Sequence, residues 1–254
     1  MRAPRVYQTE AIVLKRIKLG EADRILTFYT PDLGKLRAVA KGVRRPKSKL
    51  GGHVELLTHS LIMLARGRNL DIVTQSQTIN GFLVLKGDLW RLSRGLYALE
   101  LVDSFTAERI ENRPIFDLLL STLHWLCQVG DGNIILRYFE LQLLNYLGYR
   151  PQLQQCVSCN LPLQPIDNFF SSSRGGVLCP ECAGKDPARR TLTLNSLKVL
   201  RLWQSCDCAT ASRVKINSQL SSELEQLMRE YIKYLLEREV KSAAWLDRLN
   251  KEKL

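Results

Sequence analysis

Two pairs of cysteines carry the sharpest chemistry in the chain: Cys156-Val-Ser-Cys159 and, after nineteen intervening residues, Cys179-Pro-Glu-Cys182. Thiolates are among the ligands that Zn²⁺ gathers in a tetrahedron, and a two-residue gap lets both sulfurs of one pair reach the same ion. The competing reading, four unrelated core or redox cysteines, leaves the repeated spacing without a cause. Four thiolates also fill the tetrahedron, so no position remains for an activated water. One structural Zn²⁺ held by Cys156, Cys159, Cys179 and Cys182 is therefore expected. Of the remaining cysteines, Cys127 sits inside an apolar helical pattern and suits a core. Cys206-Asp-Cys208 has a one-residue gap, too weak a signal for a second metal or redox site.

Catalysis finds little footing. The three histidines, His53, His59 and His124, stand singly, without the paired spacing of a hydrolytic metal site. His124, alone on an apolar helical pattern, suits a satisfied core histidine better than a base. No phosphate-cradling Gly-x-x-x-x-Gly-Lys-Ser/Thr and no Gly-x-Ser-x-Gly elbow occurs. Glu21 and Asp23 lie in a basic setting and suit strand flanks or ion pairs. A non-enzymatic protein is expected.

Charge points to a partner. The formal net charge is +12, and residues 1–80 hold 15 Lys+Arg against 6 Asp+Glu, leaving 22 against 19 for residues 81–254. A basic first third on a nearly neutral body is the footprint of a polyanion. Lys35, Arg37 and Lys41 fall on one strand face, and Arg44, Arg45, Lys47 and Lys49 continue from it in a loop without periodicity, expected to be mobile. Such cations neutralise phosphates without reading bases. Aromatics for base stacking are sparse here, only Tyr7, Phe28, Tyr29 and Phe82, so both single and double strands are expected to bind through their backbones.

The elements that must position these groups change period along the chain. Ala11–Leu19, Arg24–Thr30, Lys35–Lys41, Glu55–Ala65 and Leu70–Ile79 predict five strands, with turns at Pro31-Asp-Leu-Gly34 and Arg66-Gly-Arg-Asn69. Five short strands predict a small closed barrel, because an open sheet would expose its edges. After Gly81 the period becomes helical. Leu89 to Leu101, a run from Pro114 to a stop near Gly130, Asn133 to Leu147 and Thr193 to Trp203 predict helices. A later helix is predicted to open at the capping-box spacing Ser222-Glu-Leu-Glu225, with a short one around Trp245. The expected class is α+β with two domains: residues 1–80, and 81–254 with the cysteine module at about 151–190. No apolar run approaches the ~18 residues of a membrane span, and the first residues lack an apolar leader, so a cytoplasmic protein is expected.

Gly20-Glu-Ala-Asp-Arg-Ile-Leu-Thr27 and Gly34-Lys-Leu-Arg-Ala-Val-Ala-Lys-Gly-Val-Arg-Arg-Pro-Lys-Ser48 resemble the N-terminal barrel of the bacterial RecO family of DNA repair proteins. The likeness continues through Arg137-Tyr-Phe-Glu-Leu-Gln-Leu-Leu-Asn-Tyr-Leu-Gly-Tyr149 and the cysteine module. It implies an OB-fold barrel and a helical domain that often holds zinc. It further implies binding of single- and double-stranded DNA, annealing of complementary strands, and work with RecR, in some settings RecF, to load RecA on DNA coated by single-strand-binding protein. The implied DNA surface falls on Lys35, Arg37, Lys41, Arg44, Arg45, Lys47 and Lys49, and the metal ligands on the four cysteines. The family also docks the acidic, Phe-ended tail of single-strand-binding protein. An apolar slot beside a cation would receive it, and Arg137, Tyr138 and Phe139 are the candidates. The alternatives are a zinc-containing RNA-binding barrel, a protein adaptor and a metal-dependent hydrolase.

Overall fold

The computed structural model describes residues 5–128, 132–184 and 186–252. The first five strands are β1 (Val6–Leu19), β2 (Asp23–Thr30), β3 (Gly34–Ala40), β4 (His59–Ala65) and β5 (Asp71–Asn80). Helices α1 (Leu83–Lys86), α2 (Leu89–Phe105), α3 (Arg113–Gln128) and α4 (Asn133–Tyr146) follow, then strands β6 (Asn168–Ser171) and β7 (Gly176–Leu178). The chain continues with α5 (Pro180–Ala183), β8 (Arg190–Leu192), α6 (Leu194–Ser205), α7 (Cys208–Ser212), α8 (Ser218–Leu236) and α9 (Lys241–Glu252). Packing gathers residues 1–129 with 242–254 into one compact unit and residues 130–241 into another.

In the first unit the strands close in the order β1-β2-β3-β5-β4, as the five-strand pattern predicts. Four pairings are antiparallel. The ring is completed by a short parallel seam, Ala38 opposite Asp71 and Val39 opposite Ile72. Strand alternation sends Leu26, Phe28, Leu36, Ala38 and Ala40 inward, where they meet Val13, Ile62, Leu64 and Val73. β1 is longer than its apolar run. It begins at Val6 rather than Ala11, because residues 6–12 pair with 59–65 of β4. β4 in turn begins at His59 rather than Glu55, since Gly51–Val54 form a single 3₁₀ turn first.

The short seam leaves the start of β3 open to another partner. The segment between α2 and α3 takes that place: the Arg109 amide donates to the Lys35 carbonyl at 2.7 Å. Gly34, at φ +61°, allows this approach, since a Cβ there would stand 1.9 Å from the Ile110 carbonyl oxygen. Asp88 caps α2 by accepting from the Arg91 amide, and Pro114 sits in the first turn of α3 as its sequence predicts. Gly130, expected to end that helix, lies outside the described residues. His124 is exposed rather than core: its Nδ1 meets the Leu120 carbonyl at 2.9 Å, and its Nε2 lies 3.3 Å from the Asn80 amide.

In the second unit α4 is buried nearly all round. It ends as expected at Gly148, which takes φ +85° while the Tyr149 amide returns to the Leu144 carbonyl. The cysteine module is more ordered than its sequence suggests, with a three-stranded sheet in the order β7-β6-β8. α8 starts at Ser218, capped by Asn217 accepting from the Leu220 amide. The Ser222-Glu-Leu-Glu225 spacing is therefore not its start: Glu223 instead turns outward from the helix to accept from the Thr193 amide and hydroxyl.

Candidate nucleic-acid interface and metal centre

The seven cations predicted for a polyanion surface divide into two groups. Lys35 and Arg37 point outward from β3, as alternation requires, but on the side that α2 and the following segment cover. Lys35 Nζ donates to the Asp103 carbonyl at 2.6 Å and stands 3.3 Å from its carboxylate, with the side chain only 11% exposed. Arg37 lies 3.7 Å from Glu108. Lys41, Arg44, Arg45, Lys47 and Lys49 are all exposed, and none is ion-paired among the described residues.

These five cations stand on a loop that is anchored rather than loose. Val43 is buried in the barrel core, fixing the loop's root from below. Arg44 reaches back to the β1–β2 turn, its amide donating to the Ala22 carbonyl at 2.9 Å and its guanidinium to the Gly20 carbonyl at 3.2 Å. The Ser48 amide closes onto the Arg45 carbonyl at 2.9 Å. The lack of periodicity thus marks a loop built from turns and tied to the barrel at its root.

None of the four aromatics of this region offers a free face for a base. Phe28, Tyr29 and Phe82 are buried. Tyr7 donates to the Asp71 carboxylate, with Arg66 lying over its ring. Burial and the Asp71 contact push the Tyr7 hydroxyl up to about 12, so it remains a neutral donor. What these residues offer at the surface is therefore positive charge, not a free ring face.

In the second unit the four cysteine sulfurs lie within 4.8 Å of one another, with Cys159 and Cys179 Sγ 3.9 Å apart. A tetrahedron with Zn–S distances near 2.3 Å has edges of about 3.8 Å, so the cage is of the right size after a contraction of about 1 Å at most. Each pair is turned back by local backbone. Asn160 takes φ +60° after the first pair, while Cys179 precedes Pro180 at the start of α5. The Ser158 and Cys179 amides both donate to Cys156 Sγ at 3.4 Å. Burial pushes the Cys156 thiol up, but the amides of Cys179, Cys159 and Ser158 outweigh it and bring it down to about 6. Burial pushes Cys179 up to about 12, a balance that a bound divalent cation reverses by deprotonating its thiol ligands.

The strand β7 supports this cage through its neighbour. Val157 donates to the Val177 carbonyl at 2.9 Å, and Val177 to that of Gln152 at 2.9 Å. Gly176 permits the approach, because a Cβ there would stand 2.7 Å from the Gln152 carbonyl oxygen. Cys206 and Cys208 take no part. They flank Asp207, which caps α7, and among the described residues the four-cysteine group alone gathers enough ligands for a metal.

Arg137, Tyr138 and Phe139 do not form a docking slot. They are 3%, 7% and 0% exposed. The Arg137 guanidinium is 2.8 Å from Glu140 and reaches the Glu225 carbonyl at 3.3 Å, while the Tyr138 hydroxyl donates to the Cys206 carbonyl at 3.1 Å. They are interior parts of α4, with no face for an incoming peptide.

Family models for the N-terminal and C-terminal regions of Recombination protein O match residues 1–82 and 86–244. The chain belongs to the RecO family of DNA repair proteins. DNA repair protein RecO of Roseiflexus sp. strain RS-1 is 45% identical over 96% of this chain and 86% of its own length. That of Dehalococcoides mccartyi strain 195 is 42% identical over the full length of both. RecO of Desulforamulus reducens is 37% identical over 98% of this chain and 97% of its own length. The RecO resemblance first seen in Gly20–Thr27 and Gly34–Ser48 therefore extends through both units. Among the described residues no helix is long and apolar enough to cross a membrane.

Proposed function

We propose that this RecO-family chain is a non-enzymatic strand-annealing and recombination-mediator protein. In this reading the barrel of residues 1–80 grips DNA by its phosphates, and residues 81–254 form the scaffold. The observation that carries it is the row of Lys41, Arg44, Arg45, Lys47 and Lys49, exposed on an anchored loop and free of ion pairs among the described residues. Cations held at fixed positions release counterions from any phosphate backbone, so affinity is independent of sequence and falls steeply with salt. Because no aromatic in the barrel presents a stacking face, single strand and duplex compete on similar terms. That behaviour suits bringing two strands together.

Lys35 and Arg37 contribute less, since a phosphate would have to displace Asp103 and Glu108. The four cysteines hold one structural Zn²⁺ that fixes the module between Leu153 and β8. The family's other partners are expected to be RecR, in some settings RecF, and single-strand-binding protein, with RecA loaded downstream in the cytoplasm. The direct test is annealing of complementary strands precoated with single-strand-binding protein, without ATP or added magnesium. Annealing that slows as salt rises is expected; strands that stay apart under all salt conditions, or are cleaved, would contradict the proposal.

A further inference from the structure

A carboxylate makes the first of several links between the cationic loop and the rest of the barrel. At the end of β3 the chain reverses through Gly42, in the left-handed region at φ +62°, and its amide donates to Asp23 Oδ1 at 2.7 Å. Asp23 opens β2, directly opposite Leu19 in the β1–β2 register. A charge-assisted bond of this length is stronger than a neutral one. It is also the first of a series. One residue on, Val43 enters the barrel core; after it the Arg44 amide donates to Ala22, and Arg45 donates to the Gly42 carbonyl at 3.1 Å. The β1–β2 turn and the root of the loop are thereby stitched together, and Asp23 sets the first stitch.

We infer that Asp23 is a positioning residue for DNA binding: it fixes the reversal at Gly42 so that Arg44 and Arg45 meet phosphates already arranged. This rests on the DNA-binding reading of the loop proposed above. Its consequence runs against simple electrostatics. Removing an acidic side chain from a phosphate-binding surface ordinarily strengthens binding. A carboxylate that organises the cations does the reverse when its hydrogen bond is lost, because the loop must then be ordered at the moment of binding.

Two substitutions separate these effects, since they remove the same charge. Asp23→Asn keeps a carbonyl oxygen able to accept from the Gly42 amide, whereas Asp23→Ala does not. Glu21→Gln, at an exposed neighbour, measures the effect of charge alone. With the full-length protein and a labelled oligonucleotide, Asp23→Ala should bind about 5-fold more weakly than Asp23→Asn. Asp23→Asn and Glu21→Gln should bind at least as tightly as the parent. Trypsin should also cut Asp23→Ala sooner at Lys47 and Lys49. If Asp23→Ala does not fold, Asp23→Ser replaces it, with a side chain too short to reach the amide. Equal affinities of Asp23→Asn and the non-accepting variant overturn the inference, whether both rise or both fall. In parallel, neutralising Arg44, Arg45, Lys47 and Lys49 together tests the underlying reading. If that leaves binding unchanged, the loop is not the DNA surface and the role of Asp23 falls with it. If it weakens binding while the two Asp23 variants agree, only the positioning role fails.

Discussion

Lys35 Nζ stands 2.6 Å from the Asp103 carbonyl oxygen, which ties the first cation of β3 to the end of α2. Nine-tenths of that side chain is hidden, so it acts within the fold. Lys35→Met should lower stability by about 1–2 kcal/mol, for a charged hydrogen bond lost and a carboxylate left without one partner. Lys15 still lies 3.6 Å from Asp103 and limits the damage. Urea unfolding measures the stability change. DNA affinity and its salt dependence should change little, whereas Arg45→Ala should change the salt dependence clearly and leave stability intact.

Removing a cysteine from the cage separates scaffold from DNA surface. Cys156→Ser deletes the sulfur that two backbone amides address, and zinc content should fall from one ion per chain to none. The unit of residues 130–241 should melt earlier, since metal binding there is coupled to folding. Affinity for DNA should change by less than about 2-fold, as the basic loop belongs to the other compact unit, which has a core of its own. Chelation of the parent protein should reproduce both effects, and calorimetry with metal analysis checks them.

His59 makes the barrel sensitive to acid. Burial holds its imidazole below the ordinary value, although the Glu10 carboxylate 2.9 Å away pulls it up; His124 adds to the lowering. The unfolded chain therefore takes the proton first, at about pH 6.5. Stability is fully present above that value and is lost as pH falls through it toward the lower folded value. Melting temperature should drop between about pH 7.5 and pH 5.5, and the drop should shrink in His59→Asn.

Gly34 guards the open start of β3. Gly34→Ala places a methyl group where the Ile110 carbonyl stands and forces a left-handed non-glycine residue. A loss of more than about 2 kcal/mol is expected, the backbone penalty and the displaced segment acting together. Thermal unfolding measures it.

Legibility followed the range of the interactions. The cysteine cage is written in two local pairs, and the barrel in alternating runs such as Leu36, Ala38 and Ala40, so both could be read directly. The start of β1 could not, because Val6 to Glu10 are held by pairing with residues more than fifty positions away. Lys35 and Arg37 carry the same formal charge as Arg44 and Arg45, and only partners far along the chain, Asp103 for Lys35 and Glu108 for Arg37, separate their roles. Strands β6 to β8 span three or four residues each, too short for a period to declare itself. Arg137 did leave a signal: Glu140 lies three positions later on a helix apolar all round, the spacing of a pair turned inward together.

In the proposed function the loop of Arg44, Arg45, Lys47 and Lys49 meets the phosphates. Its most direct test is the salt dependence of duplex binding by the full-length protein with all four changed to alanine, its fold checked by melting temperature. If each cation neutralises one phosphate, the slope of log affinity against log salt should lose about 3–4 units and annealing should slow by more than 10-fold. A folded variant with unchanged slope and unchanged annealing rate would contradict the account.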